Sequence, residues 1–298
     1  MTEIRLGIAG LGTVAQGVLE LIRRNNALMQ QRSGVSLRVV RVASRRAKPE
    51  VDLQGAQFST EIDDLLTDPN VDMILELIGG DTVALELIRR ALAAKNPVVT
   101  ANNAVLAAHG NELMSGHGQQ LLRFEAAVAG AIPIIQGRSG GLAANRLASL
   151  FGIINGTCNY IFGEMEANGT AFDEVLAQAQ RLGYAEAEPS FDIDGIDAAH
   201  KLTILAASAF GQTPQFDRGA ISGIRDVSAV DFAYATQLGF RIKLVGTAEP
   251  GRMPRMQTCL LPMSTQLAKV DGVLNAVEFD ADPVGSVVLT GPGAGSGA

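Results

Sequence analysis

The chain has 298 residues, 47% of them hydrophobic and 18% charged, which is room for one large or two ordinary domains with ample core. A net charge of −7, without basic runs or stripes, argues against nucleic acid or an anionic membrane as the main partner. Two cysteines, Cys158 and Cys259, and three scattered histidines, His109, His117 and His200, offer neither a disulfide framework nor zinc-ligand spacing. The N-terminus enters a strand without a basic stretch ahead of a long apolar run, and no segment nears the ~18 apolar residues of a membrane span, so the expected compartment is the cytoplasm.

Residues 4–10 are a short apolar run with Arg5 interleaved, read as a buried strand. It leads into Gly10-Leu11-Gly12-Thr13-Val14-Ala15 and a helical stretch over 17–30, the arrangement of a dinucleotide-binding turn with alanine in third place. Gly10 lets the chain turn tightly, Gly12 lets the backbone approach a pyrophosphate, and the helix N-terminus supplies N–H groups and partial positive charge. The competing reading is a glycine-rich βα turn with no ligand, and the strand-turn-helix context favours the first. A second strand is expected over 36–43, followed by Ser44-Arg45-Arg46 and Lys48 where an NAD-selective site places an acid. Two guanidinium groups suit a 2′-phosphate, and they equally suit a solvated basic loop; the cofactor reading leans to NADP, with NAD open.

The alternation continues through 53–58, a helix over 60–66, a strand over 73–78 ending at Gly79-Gly80, a helix over 83–95 and a strand over 97–100. This spacing predicts an α/β doubly wound (Rossmann) parallel sheet with ligands at the carboxyl ends of its strands. A further strand is expected over 121–127. Glu125 is followed by Val128, Ala129, Gly130 and Ala131, whose tight curvature serves either carbonyl ligation of a hard cation or a packed hinge between domains.

Beyond the hinge come a strand over 150–154, the loop NGTCNYIF at 155–162, and helices over 160–167 and 172–181. Glu186, Glu188 and Asp192 then lie in a loop before a helix that runs from Asp197 to about Phe210. Asp197 and Lys201 are four apart, acid before base, on one helix face. The plain reading is a surface ion pair worth ~0.3 kcal/mol. Ile196, Ala198, Ala199, Leu202, Ile204, Leu205, Ala206 and Ala207 make this helix apolar on nearly every side, and such a helix is buried. A buried ammonium among carboxylates is a candidate acid/base, and that reading is put first. Apolar runs over 242–247, 256–261 and 274–279 predict antiparallel strands of a second sheet. The expected division is 1–131 with 285–298 for the dinucleotide, and 132–284 as an α+β domain for substrate binding and dimerisation.

LGYAEA at 182–187, the acid-rich turn, and GIDAAHK at 195–201 leading into an alanine-rich helix resemble the substrate-binding segment of the homoserine dehydrogenases. ELIGG at 76–80, VVTAN at 98–102, the NGT-x-NYI loop and GPGAG at 291–295 extend the resemblance over essentially the whole chain. It implies an NAD(P)-dependent interconversion of L-homoserine and L-aspartate 4-semialdehyde, on the way to threonine and methionine, in a short form without a C-terminal regulatory domain. Lys201 would carry the proton of the substrate hydroxyl. Glu186 and Asp197 would hold the substrate, Asp192 would support them, and Gly156, Thr157 and Tyr184 would border it. Gly10, Leu11, Gly12, Thr13, Val14, Arg45, Arg46, Thr100, Asn103, Gly183 and Gly293 would line the cofactor. Glu125, Val128, Gly130 and Ile132 would ligate a monovalent cation such as sodium, and the chain would form a homodimer. The strand over 286–289 and the loop after it would return to the nucleotide domain. One position departs: the family's VTANK reads Val99-Thr100-Ala101-Asn102-Asn103 here, so an uncharged amide replaces a lysine. The alternatives are an NADP(H)-binding homologue with weak or no turnover, or a dehydrogenase for another small amino alcohol.

Overall fold

The computed structural model describes residues 2–214, 216 and 220–295, which divide into two compact units: residues up to Ala127 together with Gly295, and Val128–Ala294. In the first unit β1 (Thr2–Ala9) leads to α1 (Thr13–Ser33), β2 (Val35–Ala43), β3 (Gln57–Ser59), α2 (Asp64–Thr67) and β4 (Met73–Glu76). Then follow α3 (Thr82–Ala93), β5 (Val98–Thr100), α4 (Asn103–Leu113), α5 (Gly118–Leu121) and β6 (Leu122–Arg123). The six strands form one sheet in the order β3-β2-β1-β4-β5-β6, every pair parallel. This is the expected doubly wound sheet. Its core follows from the sequence period: Ala15, Leu19 and Ile22 of α1 stand on one stripe and pack with Leu6 and Ile8 of β1 and Val39 and Val42 of β2.

Three local readings change. The strand expected over 121–127 stops at Arg123 and gives way to a 3-10 turn, Glu125–Ala127. The helix expected over 60–66 shrinks to the single turn of α2. The residues after β5 form an unexpected helix, α4, because the Asn102 side chain accepts from Val105 N at 3.1 Å and caps it.

The second unit contains α6 (Ile134–Gln136), β7 (Arg146–Ile153), α7 (Gly156–Asn168), α8 (Phe172–Arg181), α9 (Ser190–Ile193) and α10 (Ile196–Phe210). It continues with α11 (Ala229–Gln237), β8 (Phe240–Ala248), β9 (Arg255–Pro262), β10 (Leu274–Asp282) and β11 (Gly285–Pro292). Its sheet is antiparallel in the order β11-β10-β7-β8-β9. α10 lies close against this sheet at Gly246, where a Cβ would fall 2.8 Å from Met256 and 3.0 Å from Leu202. The strand expected over 286–289 forms as β11, paired with β10 from Ala281↔Gly285 to Leu274↔Pro292, and Gly295 after it groups with the first unit. A two-residue connection makes this hairpin the nearest available pairing. The end of that expected return, 296–298, lies outside the described residues, as does Met1.

Candidate active site

Within the second unit the polar residues gather at the start of α10. The chain enters it through Gly195, whose φ of 79° glycine adopts without strain. Asp197, in the first turn, stands one turn below Lys201. Lys201 Nζ donates to Asp197 Oδ2 at 2.7 Å and to the Ile154 carbonyl at 3.4 Å. With the side chains only 15% and 11% exposed, this is an internal pair rather than the surface pair of the plainer reading. Among the described residues, two of the three N–H positions of the ammonium are thereby committed and one is left.

Asn155 organises the acids around this pair. Its Nδ2 donates to Asp192 Oδ1 at 2.8 Å and to Asp197 Oδ2 at 2.9 Å, while its Oδ1 accepts from Cys158 N at 2.9 Å and caps α7. One amide therefore joins two carboxylates to a helix N-terminus. Burial pushes the Asp192 pKa up, and the Asp197 and Glu186 charges add to this; the Asn155 bond and the Lys201 charge oppose it. Cys158 is buried and donates to the Asp192 carbonyl at 3.2 Å; burial holds its thiol well above the ordinary value, so it is a packed residue and not a nucleophile.

The expected substrate residues meet in part through backbone. Thr157 Oγ1 donates to the Tyr184 carbonyl at 2.7 Å, which ties the first turn of α7 to the segment after Gly183. Tyr184 is exposed and sets its ring edge-on to Tyr160 at 4.9 Å. Glu186 is exposed, joined to the cluster by charge alone. Gly156 has a packing reason of its own, since a Cβ there would fall 2.7 Å from the Val273 carbonyl. Gly293 lies against Asn275, whose Oδ1 would be 1.8 Å from an added Cβ.

Asn155 and Lys243 were not among the candidates read from sequence. The signal for Asn155 was there, an asparagine directly ahead of a helical run, the favoured cap position. Lys243 is the charge within the apolar run over 242–247, two residues beyond Arg241, and it is 1% exposed.

In the first unit Gly10 has φ 99°, and a Cβ would fall 2.5 Å from the Leu77 carbonyl, so the turn admits only glycine. Gly12 faces open space, with no atom within 4 Å of a built Cβ. It stands at the N-cap of α1, which has no side-chain cap and no acid in its first turn. Such an uncapped positive helix end fits a pyrophosphate. Leu11 is buried, while Thr13, Val14, Arg45 and Arg46 are exposed. Thr100 is fully buried at the end of β5, and Asn103 is the first, half-buried residue of α4. Glu125 opens its 3-10 turn in this unit. In the second unit Val128 is buried, Ala129 and Gly130 are both left-handed at φ 56° and 50°, and the Ile132 carbonyl accepts from Ile134 N at 2.7 Å. Among the described residues no three His, Cys, Asp or Glu side chains gather as a metal site, and no helix is long and apolar enough to cross a membrane.

Comparison with known proteins gives two family matches: residues 10–121 match the homoserine dehydrogenase NAD-binding domain, and residues 133–298 match homoserine dehydrogenase. The chain is 45% identical to homoserine dehydrogenase of Pseudomonas aeruginosa, over 99% of its own length and 69% of the relative's. It is 42% identical to that of Neisseria gonorrhoeae, with the same coverage. The crystal structure of a homoserine dehydrogenase from Thiobacillus denitrificans superimposes with a TM-score of 0.94 at 46% identity, covering 99% of this chain and 70% of that one.

Proposed function

The chain belongs to the homoserine dehydrogenase family, and we propose that its second domain handles the amino alcohol and its proton while the first holds the cofactor. It is an NAD(P)-dependent oxidoreductase of amino-acid biosynthesis, interconverting L-homoserine and L-aspartate 4-semialdehyde. The bound nicotinamide supplies hydride exchange with the alcohol carbon. Lys201 carries the proton: as the neutral amine it accepts the hydroxyl proton at Nζ during oxidation, and as the ammonium it returns a proton to that oxygen during reduction. The observation that carries this assignment is the internal Asp197–Lys201 pair with one N–H position uncommitted. Asp192, Asp197 and Glu186 present negative charge to the substrate ammonium, and Gly156, Thr157 and Tyr184 border it.

On the cofactor side the Gly10–Val14 backbone takes the pyrophosphate, with Leu11, Gly12 and Thr13 between. Exposed Arg45 and Arg46 favour the 2′-phosphate of NADP over NAD. Thr100, Asn103, Gly183 and Gly293 serve the nicotinamide end. A sodium-like cation on Glu125, Val128, Gly130 and Ile132 is supported by the consecutive left-handed residues that turn these carbonyls. The same proposal includes a homodimer through the second domain. The relatives do not favour the alternative of a cofactor-binding homologue without turnover. Steady-state assay with homoserine and each oxidised cofactor, read at the reduced-nicotinamide absorbance, tests the reading; binding of reduced cofactor without turnover would overturn it.

A further inference from the structure

Glu76 ends β4 with no exposed surface at all, yet no function assigned above uses it. It pairs in register with Ala9 on one side and Thr100 on the other, at the carboxyl edge of the sheet. Its Oε1 accepts from Ile78 N at 2.8 Å, and its Oε2 accepts from Thr100 Oγ1 at 2.5 Å. Thr100 Oγ1 itself receives Asn102 N at 3.0 Å, so its single proton serves the Glu76 bond. Asn102 then donates to the carbonyls of Ile78 at 3.3 Å and Gly80 at 2.6 Å, closing a ring between the ends of β4 and β5.

The Ile78 N–H donates to the Glu76 carboxyl, and the Thr100 hydroxyl stands within reach to donate to its other oxygen, an arrangement that supports the ionised group. No cation among the described residues pairs with it; burial pushes its pKa up and only the Thr100 and Ile78 bonds oppose this. A buried charge without a counter-ion is costly. The cost is intelligible if a positive charge arrives with the ligand. In a doubly wound sheet of order 3-2-1-4-5-6 one mononucleotide half takes each end of a dinucleotide, and the arginines after β2 mark the other half for the adenosine. The half built on β4 and β5 is left for the nicotinamide, whose ring is positive when oxidised and neutral when reduced.

We propose that Glu76 is a fixed anion that discriminates between the redox states of the cofactor, raising affinity for the oxidised form relative to the reduced one. It does so without contact, through its charge and through the Thr100–Asn102 ring that holds it in place. The inference rests on the nicotinamide reading above. The test compares Kd for NADP+ and NADPH, and for NAD+ and NADH, in the wild-type chain and in Glu76→Gln. Emission of the reduced cofactor, excited in its own absorbance band, follows its binding, and the oxidised form is followed by competition. Glu76→Gln should weaken the oxidised form by roughly five- to tenfold while the reduced form changes less than about twofold. Equal weakening of both forms would reduce Glu76 to a structural residue and overturn the proposal, as would no change in either. If Glu76→Gln does not fold, Glu76→Leu removes the charge and carries the same measurement, although it leaves the Ile78 N–H and the Thr100 hydroxyl without their acceptor. Failure of the wild-type chain to bind any of the four would instead sink the nicotinamide reading itself.

Discussion

Two lysines lie inside the second domain, each tied to an asparagine near the start of α7, and they are built for opposite purposes. Lys243 is 1% exposed, and its three N–H positions meet Asn159 Oδ1 at 3.0 Å, Val270 O at 2.6 Å and Asp271 Oδ1 at 3.3 Å. Asn159 directs its own amide at the carbonyls of Val270, Gly272 and Leu274, so the pair clamps the turn ahead of β10. Arg241 braces the same turn through Asp271 at 2.8 Å and ties it to α7 through Glu166. Lys201 also stands among carboxylates, yet among the described residues two of its N–H positions are taken and the third is not, and its asparagine reaches it through Asp197. Burial pushes the Lys243 pKa down, helped by the Arg241 charge and opposed by Asp271. Burial alone therefore does not make a lysine a proton carrier. A saturated ammonium holds structure, and one with an uncommitted position can exchange a proton.

Substitution should separate the two lysines sharply. Lys201→Ala should lower kcat/KM for homoserine by at least ~10²-fold, the low end for a lost general acid/base, with cofactor binding nearly unchanged. Activity above about a tenth of wild type would remove Lys201 from the role. Lys243→Ala should do the reverse. It strips one member from a buried ionic cluster, so denaturant unfolding should show a loss of ~3 kcal/mol while kcat, measured cold, stays within a few-fold. A large kcat loss with intact stability would collapse the distinction.

Asp192 tests how far the Lys201 side of the comparison gives up stability for charge. Its pKa is raised by burial, so the ionised side chain is destabilising above that raised value. As pH falls through the raised pKa to the ordinary carboxylate value, folded and unfolded states both become protonated and the cost disappears. Asp192→Asn should thus raise the melting temperature near neutrality, but not in acid, and raise KM for homoserine by ~10-fold through loss of a charged contact. A melting temperature that falls at neutral pH would show that the acid is net stabilising.

The smallest effect is expected from adding a third lysine. Asn103→Lys restores the residue that the family resemblance leads one to expect, at the first position of α4 beyond the carboxyl end of β5. It should raise kcat/KM several-fold, ~1 kcal/mol, less than the full worth of a preorganised charge because the asparagine amide already offers a donor. A variant that folds and is no faster would show that the site uses Asn103 on its own terms.

Much of this protein was determined by its sequence alone. The parallel sheet was readable because strand and helix periods, and the glycines at 10 and 12, act over a few residues. The burial of α10 was readable for the same reason, since Ala198 to Ala207 leave it almost no polar side. The family resemblance named the loop at 155–162 but did not say why Asn155 stands in it. Only the tertiary structure decided that, by bringing Asn155 to Asp192 and Asp197 across 37 and 42 residues. It likewise set Lys243 on Asn159 across 84 residues and Glu76 on Thr100 across 24, and folded 285–292 back onto β10. Periodicity reports which face of an element is buried. It carries no record of which polar group on a distant element meets that face, and in this protein those meetings separate a structural lysine from the proposed proton carrier.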